Sequence, residues 1–215
     1  MVGSRHEIAW SATDRGGMSH DDISQDQLFF FDEHEVVVSD FDVSGWILDV
    51  GGGGEGIIGR LKADQVVAID PNQRELDDAA TGPLKVVMDA RDLQFLDDTF
   101  AAATSFFTLM YIQASDHAAV FDEVFRVLID GAPFFVWDVA VPLRSGREQE
   151  IAVFPLVVKL PSEEVSTGYG TRWPDTERDL DHYRRLAESS GFEVATAKAA
   201  GRILQLELRK PHTQT

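Results

Sequence analysis

The stretch Trp46-Ile47-Leu48-Asp49-Val50-Gly51-Gly52-Gly53-Gly54-Glu55-Gly56 decides the architecture of this chain. An apolar, partly β-branched run passes without interruption into glycines, as a buried strand does when it turns sharply into a helix. Without Cβ atoms the backbone can turn tightly and approach a ligand within van der Waals contact. Gly51, Gly53 and Gly56 also satisfy the spacing G-x-G-x-x-G, and Asp70 stands at the end of the next apolar run, where a carboxylate can accept hydrogen bonds from both hydroxyls of a ribose.

Taken alone, the glycine run suits a dinucleotide such as NAD as well as a sulfonium nucleoside. Asp49, just ahead of the first glycine, separates the two. A carboxylate there repels a pyrophosphate and attracts a ligand that carries an amino group and a sulfonium but no phosphate.

From Trp46 onward, short β-branched runs alternate with helical patterns, which predicts a parallel sheet with helices on both faces. Strands are expected at 46–50, 65–70, 84–88, 102–107 and 133–139. Helices are expected at 72–80, after Pro71, and at 116–128, where Asp116 is a candidate cap and Val120, Phe121, Val124, Phe125 and Leu128 share one face. The pattern then changes: 149–172 reads as an inserted β-hairpin. A helix at 176–190, ended by Gly191, and two antiparallel strands at 192–199 and 202–208, split by Gly201, complete the chain. Two units are expected: an arm or cover segment over 1–45, with short apolar runs at Leu28–Phe31 and Val36–Val38, and one α/β domain over 46–215.

Composition narrows the function. Nineteen Lys and Arg stand against 37 Asp and Glu, a net charge of −18 spread along the chain, which repels phosphate backbones and argues against a nucleic-acid substrate. Adaptation to a high-salt cytoplasm and ordinary acidic solubility both fit this charge. Cysteine is absent, which removes disulfides, thiolate metal sites and thiol nucleophiles and agrees with a reducing compartment. The six histidines form no H-E-x-x-H pair, and no metal site is expected. The first thirty residues lack the apolar core of a signal peptide and no run of the chain is long enough to cross a membrane, so a soluble cytoplasmic protein is expected.

Ile47-Leu48-Asp49-Val50-Gly51-Gly52-Gly53 resembles the first motif of the class I S-adenosylmethionine-dependent methyltransferases. The resemblance continues in order through Val66-Val67-Ala68-Ile69-Asp70, Val86-Val87-Met88-Asp89-Ala90, Phe95–Phe100, Thr104-Ser105-Phe106-Phe107 and Val124–Leu128 before Asp130-Gly131. It implies a doubly wound, seven-stranded Rossmann-like sheet with an antiparallel last strand, and S-adenosyl-L-methionine as cofactor. It also implies in-line methyl transfer to an acceptor, here read as an unidentified small molecule, by a protein of the small-molecule, type 11-like kind. The same fold without turnover would make a cofactor-binding regulatory or interaction protein; an NAD-dependent oxidoreductase is the remote alternative.

Carried over by position, the resemblance implies that Asp49, Gly51 and Gly53 hold the methionine end of the cofactor. Asp70 would bind the ribose, Pro71 would pack on the adenine, and Asp89 and the Ala90 N–H would meet its edge. Ser105 and Phe106 would border the methyl group. Two departures stand out: Glu55 occupies the family's usual third glycine, and Asp130-Gly131-Ala132 replaces a Pro-Gly-Gly turn. The Asn/Asp-Pro-Pro-Tyr/Phe motif of enzymes that methylate amino groups of DNA bases and glutamine is replaced by Ser105-Phe106-Phe107-Thr108, and the lack of cysteine argues against arsenite as acceptor. No general base is assigned. Tyr111, His117 and Trp173 are candidate substrate contacts; Trp10 and Tyr169 are candidates for the pocket wall. Packing competes with contact for each, and for His117 a solvated surface position is the better expectation. The 149–172 hairpin is a candidate substrate cover or homodimer contact.

Overall fold

In the computed structural model, which describes residues 24–212, the apolar runs of the sequence become the inner strands of one sheet. β3 (Ile47–Val50), β4 (Val66–Asp70) and β6 (Ala102–Phe106) are buried along their whole length, as strands covered on both faces must be. With β5 (Leu84–Val87), β7 (Pro133–Val139), β10 (Glu193–Ala200) and β11 (Ile203–Arg209) they form a seven-stranded sheet of order β10-β11-β7-β6-β3-β4-β5. β3 to β7 run parallel, and β11 lies antiparallel between β7 and β10. This is the Rossmann-like sheet expected from the sequence, with its last strand reversed. Gly201, at φ +60°, makes the tight turn between β10 and β11.

One face is covered by α3 (His117–Val127) and α4 (Leu180–Ser189), which meet Leu48, Val50, Ala103, Phe134 and Leu204. The buried residues of α3 include Val120, Phe121 and Val124, the face that its periodicity predicts. Asp116 makes no capping bond; its carboxylate takes Arg91 instead. Asp179 caps α4 by accepting from the His182 N–H at 2.8 Å, which starts the helix later than expected. α1 (Ile57–Lys62) and α2 (Gln73–Asp78) follow β3 and β4 and stay short. Asn72 caps α2 through the Arg74 N–H.

The 149–172 segment is a hairpin, as expected: β8 (Ile151–Lys159) pairs along its length with β9 (Glu164–Arg172). The early apolar runs are strands as well, β1 (Leu28–Phe30) and β2 (His34–Val37). Both run parallel to β8, against its first and second halves, and so extend the hairpin's sheet rather than the main one. This small sheet is a third layer. Its Ala152, Phe154, Leu156, Val158 and Tyr169 join Ile47, Phe106, Trp137 and Val139 in a second core on the main sheet's other face. Trp10 lies outside the described residues.

Candidate functional site

The parallel strands end together, and the loops leaving β3, β4, β5 and β6 make one crevice, the usual ligand position of open α/β sheets. The loop after β3 turns through left-handed glycines at Gly51, Gly54 and Gly56. A Cβ at Gly51 would stand 2.2 Å from Thr108 Oγ1, one at Gly52 2.6 Å from Asp49 Oδ2, and one at Gly53 2.5 Å from Glu75 Cβ. The glycines therefore let this loop lie directly on the Asp49 carboxylate, on α2 and on the segment leaving β6.

Four carboxylates gather around that loop. Asp49 is buried, and Thr104 Oγ1 on β6 donates to its Oδ1 at 2.7 Å. Burial, with the charge of Asp70 in the same direction, pushes its carboxyl up to about 7. Asp70 accepts from the Asn72 N–H at 2.8 Å, and burial raises it to about 6. Glu75, on α2, rises to about 7 through burial and then the charges of Asp70, Asp78 and Glu55. Glu55 stands between two left-handed glycines. Its carboxylate reaches across the crevice to β9, where it accepts from Thr167 Oγ1 and, at 3.0 Å, from the Tyr169 hydroxyl.

Pro71 is exposed at the end of β4, its ring free to meet a flat ligand. Asp89, just past β5, is gripped by Arg91, with Nε 2.9 Å from Oδ1 and Nη2 2.6 Å from Oδ2; Ala90 beside it is buried. Ser105 and Phe106 are buried at the end of β6, and the Ser105 hydroxyl makes no hydrogen bond. Phe107 follows at φ +50°, a conformation costly for an aromatic residue and most often met where a site over-determines it. The Tyr169 ring stacks on Phe107, their centroids 5.2 Å apart.

Tyr111 belongs to the turn after β6, and its electrostatic neighbours are Glu55, Glu75 and Asp138. Burial drives both its phenol and that of Tyr169 well above the ordinary value, so both stay protonated. His117 is fully buried, not solvated as expected. Its Nε2 lies 3.0 Å from the Leu109 carbonyl and 3.1 Å from that of Ile112, and its Nδ1 3.0 Å from His182 Nε2. It thus braces the turn that carries Tyr111. Arg178 donates to the Met110 carbonyl at 3.0 Å in the same frame, and Asp138 accepts weakly from the Met110 N–H. Trp173 is found at the base of the hairpin, against Phe29 and Phe31, with its indole N–H on the Gln149 carbonyl.

Residues 48–136, the span that supplies the glycine loop and all four carboxylates, match the sequence model of the methyltransferase domain. These residues are a methyltransferase domain. No curated protein matches the sequence. Among solved structures, the methyltransferase domain and its flanks resemble an S-adenosylmethionine-dependent methyltransferase from Methanosarcina mazei, 19% identical, TM-score 0.58, covering 80% of this chain and 95% of that one. A Mesorhizobium loti S-adenosylmethionine-dependent methyltransferase is also 19% identical, TM-score 0.56, over 79% of this chain and 94% of that one. A third similar structure is a Haloferax volcanii complex between the Trm112 methyltransferase activator and its methyltransferase, 15% identical, TM-score 0.58, over 81% of this chain and 86% of that one. These likenesses bear out the fold, and with the matched domain they agree with the family and the cofactor, S-adenosylmethionine, read from the sequence.

Glu75 and Thr108 were not legible as part of the site. Glu75 lies on a short helix whose pattern shows only its apolar face, and Thr108 becomes visible only when Phe107 turns the chain back onto Gly51.

Proposed function

We propose that this protein is an S-adenosylmethionine-dependent methyltransferase acting on a small-molecule acceptor. The observation that carries the reading is the set of four carboxylates, Asp49, Glu55, Asp70 and Glu75, gathered around one glycine loop, where the charge of Arg74 offsets only part of the repulsion felt by Glu75. Burial raises Asp49, Asp70 and Glu75 into the range of about 6 to 7, and repulsion from neighbouring carboxylates adds to it for Asp49 and Glu75. A ligand that carries an ammonium and a sulfonium relieves that repulsion, whereas a pyrophosphate would add to it. The residues present therefore fit this cofactor and disfavour NAD.

In this reading Asp49 and the backbone of Gly51 and Gly53 hold the methionine end, and Asp70 takes the ribose hydroxyls. Pro71 covers the adenine, whose edge meets Asp89 and the Ala90 N–H. The bound cofactor supplies an already activated methyl group, so the chain's task is to position the acceptor and exclude water. Ser105, Phe106 and Tyr111 border the acceptor position, and the hairpin covers it. Trp173 sits one layer back and supports that cover. A protonated Tyr111 can donate a hydrogen bond but cannot serve as a base, which favours an acceptor whose attacking atom is already a nucleophile near neutral pH. The acidic surface disfavours nucleic acid as acceptor. Among the described residues no helix is long and apolar enough to cross a membrane, and we assign the protein to the cytoplasm. The outer edge of β9 is the surface through which a homodimer would form, a state that light scattering would detect.

Calorimetric titration with S-adenosylmethionine, S-adenosylhomocysteine and NADH, on wild type and Asp70→Ala, tests the reading. The first two ligands should bind and should weaken at least about tenfold in the variant, the loss expected for hydrogen bonds to a charged group. Binding of NADH alone would overturn it.

A further inference from the structure

Alternate residues of β9, namely Thr167, Tyr169 and Thr171, share one face of the strand, and all three are tied to the crevice. Thr167 and Tyr169 donate to the Glu55 carboxylate, and Thr171 Oγ1 donates to the Met110 carbonyl at 3.0 Å. A further tie runs from α1: Arg60 Nε donates to the Glu55 carbonyl at 2.7 Å while its Nη1 stands 3.2 Å from Glu163, at the hairpin's turn. The Tyr169 ring, only 7% exposed, lies on Phe107 and against Phe106, the residues at the mouth of β6. Asp49 and Asp70 beneath are 2% and 7% exposed. Protein atoms alone therefore cover the two carboxylates at the centre of the crevice, while Pro71 at its rim stays exposed.

Glu55 is the point where the seal is fastened. It projects from the ligand loop itself, and the left-handed glycines on either side, Gly54 and Gly56, allow the backbone there to swing. Its carboxylate is shared between two hydroxyls of the hairpin and is close enough to Glu75 to raise that group. We infer that Glu55 is a latch: it holds the β8–β9 hairpin shut over the crevice through Thr167 and Tyr169, and a ligand is admitted only when that latch releases. The latch rests on the function proposed above only for the identity of the ligand. The carboxylate freed by release faces the loop that would carry the ligand's ammonium group, so a cationic ligand offers Glu55 a replacement for the hydroxyls it gives up, and an anionic one does not.

The test uses the intact chain and reads the latch first without ligand. Tyr169→Phe keeps the ring on Phe107 and removes only the hydroxyl; Glu55→Gln keeps the shape and removes the charge; Thr167→Val is a second hydroxyl deletion should either fail to fold. Hydrogen exchange over 164–172, followed by mass spectrometry, should rise about tenfold in each variant, while exchange in β6 and β7 stays unchanged. Stopped-flow mixing with S-adenosylhomocysteine, followed by tryptophan fluorescence, should show faster association with Tyr169→Phe than with wild type. Unchanged exchange in the ligand-free variants overturns the latch, and so does an association rate indifferent to the Tyr169 hydroxyl. If no variant binds S-adenosylhomocysteine, the cofactor assignment fails by itself and the exchange data still decide the latch.

Discussion

Thr104 Oγ1 stands 2.7 Å from Oδ1 of Asp49, across a parallel pair in which the two residues are direct neighbours on β6 and β3. Among the described residues this is the side-chain hydrogen bond that holds down the Asp49 carboxyl, which burial nonetheless pushes up to about 7. The hydroxyl favours the ionised form, because a carboxylate is the better acceptor.

Removing it has a defined sign. In Thr104→Val the Asp49 carboxyl should rise further and hold its proton at neutral pH. A cationic ligand binds the ionised form, so affinity for S-adenosylmethionine should climb as pH rises through 6 to 8 in the wild type. In the variant the whole curve should move to higher pH, with affinity at pH 7 lower by about tenfold. Calorimetry at half-unit pH steps checks this; superimposable curves would mean that Asp49 does not sense the ligand.

The main sheet was legible in the sequence because its inner strands are largely apolar runs, and β3 and β4 lead directly into the turn signals Gly51 and Pro71. The residues proposed to hold the cofactor stand out in the sequence because strand ends and loop starts coincide there. The role of β1 and β2 was not: a short apolar run such as Leu28-Phe29-Phe30 does not say which sheet it joins, and its partner Ile151 is far along the chain. The sequence points to a solvated His117 because helix starts are usually wet. Here the preceding turn folds back, and its carbonyls need the donor that His117 supplies.

Gly53 tests how closely the ligand loop depends on α2. Its φ is not in the left-handed region, so alanine is conformationally allowed, but the added Cβ would lie 2.5 Å from Glu75 Cβ and 3.1 Å from Asp70 Oδ2. Overpacking of this kind costs about 1–3 kcal/mol. Gly53→Ala should therefore lower the unfolding free energy, read from denaturant titration, by that amount and also weaken S-adenosylhomocysteine binding, because the loop must lift from both carboxylates. Gly146, at which a Cβ meets nothing within 4 Å but φ is +74°, is the control for backbone strain alone.

His117 and Asp49 should pull the pH dependence of stability in opposite directions. Two carbonyls face His117 Nε2, so that nitrogen carries the proton and Nδ1 accepts from His182. A second proton would set two donors face to face, and burial with the nearby Arg178 charge depresses the ring from 6.5 to about 4. The unfolded chain then binds more protons than the folded one between those values, and stability is lost as pH falls from 6.5 through 4. Asp49 is raised from 3.8 to about 7, so its contribution is fully present below 4 and is lost as pH rises through 7. Replacing His117 by Phe keeps a ring and removes the donor, leaving the Ile112 carbonyl unpaired at a cost of about 1–3 kcal/mol at pH 7. Measured as the difference from wild type, His117→Phe should gain stability as pH falls from 6.5 to 4, because Asp49, Asp70 and Glu75 pull wild type the other way in the same window, whereas Asp49→Asn should remove part of the decline between pH 4 and 7. Urea midpoints at pH 4.5, 6 and 7.5 separate the two. If the stability difference between His117→Phe and wild type does not change between pH 6.5 and 4, the buried ring is not the group that titrates.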